Sequence, residues 1–212
     1  MLDENGCLKM RPDPYLIPRF NFDYTLTDFS ASIRALFREK SNLDPLFSTF
    51  GHKDFFFTNY GRTALYVILK SLHLPPKSKI GVPLYCCTVV FDAIINAGHT
   101  PRFIDINNNY TMDPEDLKSK IEDLSAVVVI HTFGRPADMD AIKKVAGRVP
   151  IIEDCSHSLL SEYKGKITGT IGDMAIFSLA KYLSAGGGGL LIVNNRFFTE
   201  KIQEEINALQ EP

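Results

Sequence analysis

The chain has 212 residues, 45% of them hydrophobic, with a formal net charge of -2 and a pI near 6.2. That is enough apolar material for one large domain with appendages, which excludes a disordered or fibrous chain. The near-neutral balance gives no uniform positive field, so nucleic acid and anionic membrane are not expected partners.

Residues 1 to 53 are rich in Pro, Phe and charge, with Leu26, Phe29, Ile33, Leu36 and Phe37 at helical spacing, and are expected to form an arm ahead of the main domain. From Asp54 onward short apolar runs alternate with helical ones. DFFFTNY, KIGVPLY, PRFIDI, AVVVIHTF and VPIIEDC read as strands, and GRTALYVILKSL, TVVFDAIINAG, DPEDLKSKIEDL and ADMDAIKKVAG as helices between them. Asp113 and Pro114 stand where a cap and a first helical residue are wanted. The alternation predicts an α/β domain with a mainly parallel sheet. After Cys155, EYKGKITG reads as a two-stranded feature turning at KGK. DMAIFSLA and GLLIVNN are strands on either side of a glycine stretch, Gly186 to Gly189, and FFTEKIQEEINALQEP begins another helix.

The four cysteines, Cys7, Cys86, Cys87 and Cys155, show neither Cys-x-x-Cys nor metal-ligand spacing, which suits free thiols in a reducing cytoplasm and predicts no metal site. No apolar run approaches the ~20 residues of a membrane span, and the acidic start has no apolar signal core.

In an open α/β sheet ligands gather at the carboxyl ends of the strands, and the residues there are polar in this chain. Gly61, Arg62 and Thr63 open a helix, where free backbone N–H groups and the positive dipole end suit a phosphate; an ordinary strand-to-helix turn is the plainer account of that segment alone. Asp154 ends the run VPII. It reads either as a turn aspartate or as a permanent anion paired with a protonated heterocycle, while Glu153 beside it is expected to face solvent or form a salt bridge. Lys181 follows AIFSLA and precedes the glycines, which permit close approach of a bulky ligand. A desolvated lysine there can form a Schiff base, although most loop lysines simply reach into water.

The order of these motifs resembles the DegT/DnrJ/StrS aminotransferases, fold type I pyridoxal-phosphate enzymes that aminate keto-sugars in polysaccharide biosynthesis. The match runs through NYGRTAL, KIGVPLYCCTVVFDAIINAGHTPRFIDI, MDPEDL, VVVIHTFGRPADMDAI, IIEDCSHSLLSEYKGKITGTIGDMAIFSLAK and GGGGLLIVNN, roughly Phe55 to Asn195. The resemblance implies a three-layer αβα large domain over 54–195, preceded by the arm and followed over 196–212 by the start of a connecting helix, without the family's small C-terminal domain. It implies pyridoxal 5'-phosphate as cofactor, Lys181 as covalent anchor and proton carrier, and Asp154 as partner of the ring nitrogen. His157 would lie beside the ring, and Ser178 with the backbone at Gly61, Arg62 and Thr63 would bind the phosphate. Cys87 stands where many relatives place an aromatic ring over the cofactor, with Tyr85 nearby.

As partners the resemblance implies glutamate or glutamine as amino donor, a nucleotide-linked keto-sugar as acceptor and a second copy in a homodimer. The alternative is a catalytically incomplete remnant that binds cofactor or dimerises. The apolar stripe Phe198, Ile202, Ile206 and Leu209 would ordinarily lead into the second domain and needs another partner.

Overall fold

The computed structural model describes residues 25–37, 44–51, 53–182 and 187–210. Met1–Asn42 and Leu43–Pro212 form separate compact units. The first contains α1 (Leu26–Leu36). Its start is a reciprocal cap in which the Asp28 carboxylate accepts from the Thr25 amide at 2.9 Å and the Thr25 hydroxyl accepts from the Asp28 amide at 3.3 Å. Its apolar residues Leu26, Phe29 and Ile33 are exposed, as is Phe37 just after it.

The second unit begins with a helix not foreseen from the sequence, α2 (Asp44–Phe50), followed by β1 (Asp54–Thr58), α3 (Gly61–Ser71), β2 (Lys79–Pro83), α4 (Thr88–Asn96) and β3 (Thr100–Ile104). Next come α5 (Pro114–Lys120), β4 (Ala126–Ile130), α6 (Met139–Ala146) and β5 (Ile151–Asp154). A small hairpin, β6 (Glu162–Tyr163) and β7 (Lys166–Ile167), precedes β8 (Met174–Ser178), β9 (Gly189–Val193) and α7 (Thr199–Gln210). The hairpin turns at Lys164 and Gly165, both at positive φ, as KGK predicts. Asp113 caps α5 by accepting from the Glu115 amide at 3.0 Å, with Pro114 in the first turn.

Seven strands form one sheet in the order β1-β9-β8-β5-β4-β2-β3. The pairs among β3, β2, β4, β5 and β8 are parallel, while β9 runs antiparallel between β8 and β1. Successive residues point to opposite faces of a strand, so both faces of this central sheet must be apolar to be covered. Val128 and Ile152 pack with Leu65 and Ile68 of α3, Ile94 of α4 and Ile202 of α7. Val127, Val129 and Ile151 pack on the other side with Leu117 of α5 and Ile142 of α6. The result is the three-layer αβα arrangement.

Phe50 of α2 packs against Phe177 of β8, ring centroids 5.3 Å apart, so α2 belongs with the sheet. The apolar stripe of the last helix finds its partner in this same unit: Phe198, Ile202 and Ile206 are buried with residues of α3, and Leu209 stays half-exposed.

Candidate active site

Parallel register brings distant residues to one edge of the sheet. Asp154 pairs with Ile130 of β4 on one side and with Ile176 of β8 on the other. The loop beyond β4 therefore lies beside the end of β5, and so does the 3₁₀ turn Leu179–Lys181 that follows β8. A cavity of about 260 Å³ opens at this edge, lined by Lys181, Asp154, His157, Tyr85 and Cys87 among the residues expected from the sequence. Val89, Val90 and Ile130 supply apolar wall, and Cys86, Thr132, Phe133 and Ser156 complete the lining. Asp154 is only 4% exposed, and its Oδ1 accepts from the Ser156 amide at 2.9 Å. The His157 ring lies parallel to that of Phe133, centroids 5.9 Å apart.

The neighbouring carboxylates have separate jobs because β5 alternates. Asp154 shares the parity of Ile152 and faces the α3 and α4 side, whereas Glu153 shares that of Ile151. Glu153 does not face solvent: it is fully buried. Its Oε2 accepts from His131 Nε2 and from the Gly169 amide, both at 2.9 Å, and its Oε1 from the amides of Ile171 at 2.7 Å and Gly172 at 2.6 Å. The Ala137 amide donates to His131 Nδ1 at 3.1 Å, so the ring N–H that faces Glu153 is on Nε2. Burial pushes the Glu153 carboxyl up, but the His131 hydrogen bond and the amides of Gly172 and Gly169 outweigh it and hold the group below its ordinary value. Glu153 thereby ties the β7–β8 loop and the turn after β4 to the strand that ends in Asp154. The sequence signal for it was a carboxylate inside an otherwise apolar strand, which burial forces to collect donors.

The residues expected to bind a phosphate are divided between neighbouring places. A Cβ on Gly61 would meet Ser178 Cβ at 3.3 Å, so the start of α3 touches the end of β8. Arg62 and Thr63 line a second recess that shares Val89 with the main cavity. The Thr63 and Ala64 amides both donate to the Tyr60 carbonyl, which leaves Gly61 and Arg62 as the amides ahead of the first such bond. The Arg62 guanidinium lies 4.4 Å over the Tyr60 ring.

Gly188 and Gly189 have a use within the chain itself. The Gly188 amide donates to the Asn59 carbonyl at 2.8 Å, and a Cβ on Gly189 would stand 2.5 Å from the Tyr60 carbonyl. They bring β9 against the turn that presents Gly61, where the sequence alone suggested approach of a ligand.

Cys86, Cys87 and Cys155 are free thiols, and Cys7 lies outside the described residues. Burial, then the negative charge of Asp154, pushes the Cys86 thiol up to about 12, so it stays protonated in the cavity wall. No helix of the described residues is long and apolar enough to cross a membrane.

The model of the DegT/DnrJ/EryC1/StrS aminotransferase family matches residues 38–210. The chain belongs to that family. Among its curated relatives, GDP-perosamine synthase of Escherichia coli O157:H7 is 33% identical over 142 residues, 64% of this chain and 39% of the relative. The UDP-4-amino-4,6-dideoxy-N-acetyl-beta-L-altrosamine transaminase of Campylobacter jejuni is 33% identical over 153 residues, 68% of this chain and 40% of the relative. Among solved structures, the E. coli GDP-4-keto-6-deoxy-D-mannose-3-dehydratase with bound hydrated PLP superposes with a TM-score of 0.79 at 21% identity, over 88% of this chain and 53% of that one. This DegT-family chain thus spans well under two thirds of the length of the proteins it matches. The superposition carries the fold, a fold type I transferase domain, and the family match carries the kinship.

Proposed function

We propose that this chain is the cofactor-holding part of a pyridoxal 5'-phosphate-dependent aminotransferase that moves an amino group from glutamate or glutamine to a nucleotide-linked keto-sugar. The observation that carries the reading is that Lys181, Asp154 and His157 line one apolar-walled cavity at the carboxyl edge of the parallel sheet. A lysine amine and a buried carboxylate in one cavity are the groups that a pyridoxal aldehyde and its ring nitrogen call for, and the open amides at Gly61 and Arg62 suit its phosphate. Family membership and relatives whose names print GDP- and UDP-linked sugars support the substrate class.

When bound, the cofactor supplies an electron sink for charge released as a proton leaves the donor's carbon. The chain's own residues would do the rest. Lys181 would hold the cofactor covalently and, once the donor's amine has displaced it, its freed Nζ would carry the proton between carbon atoms. Asp154, fixed by the Ser156 amide, would keep a proton on the cofactor's ring nitrogen. His157, Tyr85 and Cys87 line the same cavity and would flank the ring, while the apolar wall of Val89, Val90 and Ile130 would limit water. Ser178 and the amides of Gly61 and Arg62 would take the phosphate; the Thr63 amide, expected from the sequence to join them, is engaged by the Tyr60 carbonyl. We place the enzyme in the cytoplasm as a homodimer, with the exposed apolar side of α1, Leu26, Phe29, Ile33 and Phe37, as one surface that wants cover.

The test of the site is borohydride reduction after incubation with pyridoxal phosphate, followed by peptide mapping. The label is expected on Lys181 and absent in Lys181→Ala; a label on Lys164 or Lys166, or none on folded protein, would sink the assignment. The substrate class is tested by amino transfer from glutamate and glutamine to a panel of GDP-, UDP- and dTDP-linked keto-sugars.

A further inference from the structure

Three aromatic rings stand at the mouth of the cavity, each from a loop that leaves a different strand. Tyr85 follows β2, Tyr110 follows β3 and Phe133 follows β4. Their centroids are 5.7 Å (Tyr85 to Tyr110), 6.2 Å (Tyr85 to Phe133) and 6.4 Å (Tyr110 to Phe133) apart. All three remain open to solvent, at 47%, 50% and 64% exposure for Tyr85, Tyr110 and Phe133. Tyr110 and Phe133 have φ of 61° and 55°, the left-handed region that costs a bulky side chain free energy. Strained backbone that puts apolar rings in water is the reverse of what core packing would select.

The size of the cavity says what the rings are for. At about 260 Å³ it falls below the ~300–1,000 Å³ of pockets that enclose a whole drug-sized ligand. With a pyridoxal ring inside, a nucleotide-linked sugar can enter only by its sugar end. Its nucleoside must lie outside, across the rim. Tyr85 and Phe133 belong to both the cavity lining and the ring cluster, whereas Tyr110 belongs only to the cluster, so the aromatic surface runs outward from the cavity.

We propose that Tyr85, Tyr110 and Phe133 form a seat on which the nucleobase of the substrate stacks. The proposal rests on the nucleotide-sugar reading above. An aromatic face accepts any base through its π surface, so the seat contributes affinity and holds the sugar's reacting carbon toward Lys181 without choosing between purine and pyrimidine.

The experiment uses the cofactor-loaded chain, with UDP and GDP as probes and ribose 5-diphosphate, which lacks the base, as control. Affinity is read by calorimetry and contact by saturation transfer to base protons. Tyr110→Asn and Phe133→Asn remove a ring while keeping a residue that tolerates positive φ. Both nucleotides are expected to bind more tightly than the control and to show saturated base protons. Each substitution should weaken the nucleotides by roughly ten- to a hundredfold, the range for removing one stacked base contact, and leave ribose 5-diphosphate unchanged.

Borohydride fixation at Lys181 should be unaffected in Tyr110→Asn, whose ring lies outside the cavity lining. If that fixation succeeds but the nucleotides bind no better than the control, the seat is refuted while the cofactor reading stands. If fixation at Lys181 fails in the unmodified chain, it is the cofactor reading that falls. Substitutions that change the mass in light scattering and not nucleotide affinity would assign the rings to a protein interface and overturn the proposal.

Discussion

Replacing Glu153 with glutamine removes one negative charge and turns one acceptor oxygen into an NH2 group, with almost no change in volume. Four N–H donors converge on the carboxylate, two at each oxygen. If the new NH2 faces Ile171 and Gly172, both of those amides are left buried without an acceptor. If it faces His131, the ring can accept only by moving its proton to Nδ1, which strands the Ala137 amide along with that of Gly169.

Either orientation leaves two backbone donors unpaired. At ~1.5–3 kcal/mol for each lost bond to a charged group, Glu153→Gln should destabilise the domain by about 3–6 kcal/mol, a large part of a typical ~5–15 kcal/mol. With a urea slope of ~1–3 kcal/mol per molar, the unfolding midpoint should fall by about 1 M or more. Acid provides a second reading. The folded carboxyl is held below its ordinary value, so the unfolded chain takes up the proton first, and the stabilisation present above about pH 4.3 is lost as pH falls through the folded value. The difference between wild type and variant should therefore shrink on acidification. A midpoint shift under about 0.3 M at pH 7, or a difference that does not change with pH, would refute this account of Glu153.

Gly189→Ala should cost ~1–3 kcal/mol and lower the melting temperature, since its Cβ would meet the Thr58 hydroxyl and stand 2.5 Å from the Tyr60 carbonyl, a backbone group that cannot swing aside. Asp154→Asn should leave the fold intact but slow proton removal from an amino donor by orders of magnitude in the cofactor-loaded enzyme, read as a stopped-flow half-reaction; near-normal rates would remove its proposed role. Iodoacetamide at neutral pH should modify exposed Cys87 ahead of Cys86, whose thiol is pushed up to about 12, and ahead of fully buried Cys155, as mapped by mass spectrometry.

Much of this molecule is legible in the residues because strand and helix periods differ and turn chemistry marks the joints. The run AVVVI is apolar at every position, and it became β4, buried on both faces. The ends of such runs pointed to Asp154, His157 and Lys181, which the fold brings to one cavity. What the sequence hid depends on pairing between distant segments. Glu153 read as a carboxylate facing solvent or in a salt bridge; its contact with His131 fits the second, and its burial was hidden because the donors Gly169, Ile171 and Gly172 arrive from a loop sixteen to nineteen residues away. The ring cluster was invisible for the same reason: Tyr85, Tyr110 and Phe133 meet only when β2, β3 and β4 align. α2 lacked a long periodic stretch, and its place is set by Phe50 against Phe177.

The side-by-side carboxylates of β5 also bear on how this strand can change. Because side chains alternate, a slip of one residue in its pairing would turn Glu153 toward the cavity and Asp154 toward His131. The longer side chain would then intrude into the cavity, and the shorter one would fall short of four donors spaced for glutamate. Misregistered chains would thus lose folding stability and the candidate site together, so a deletion within Ile151–Asp154 should yield insoluble protein rather than a folded enzyme with altered activity.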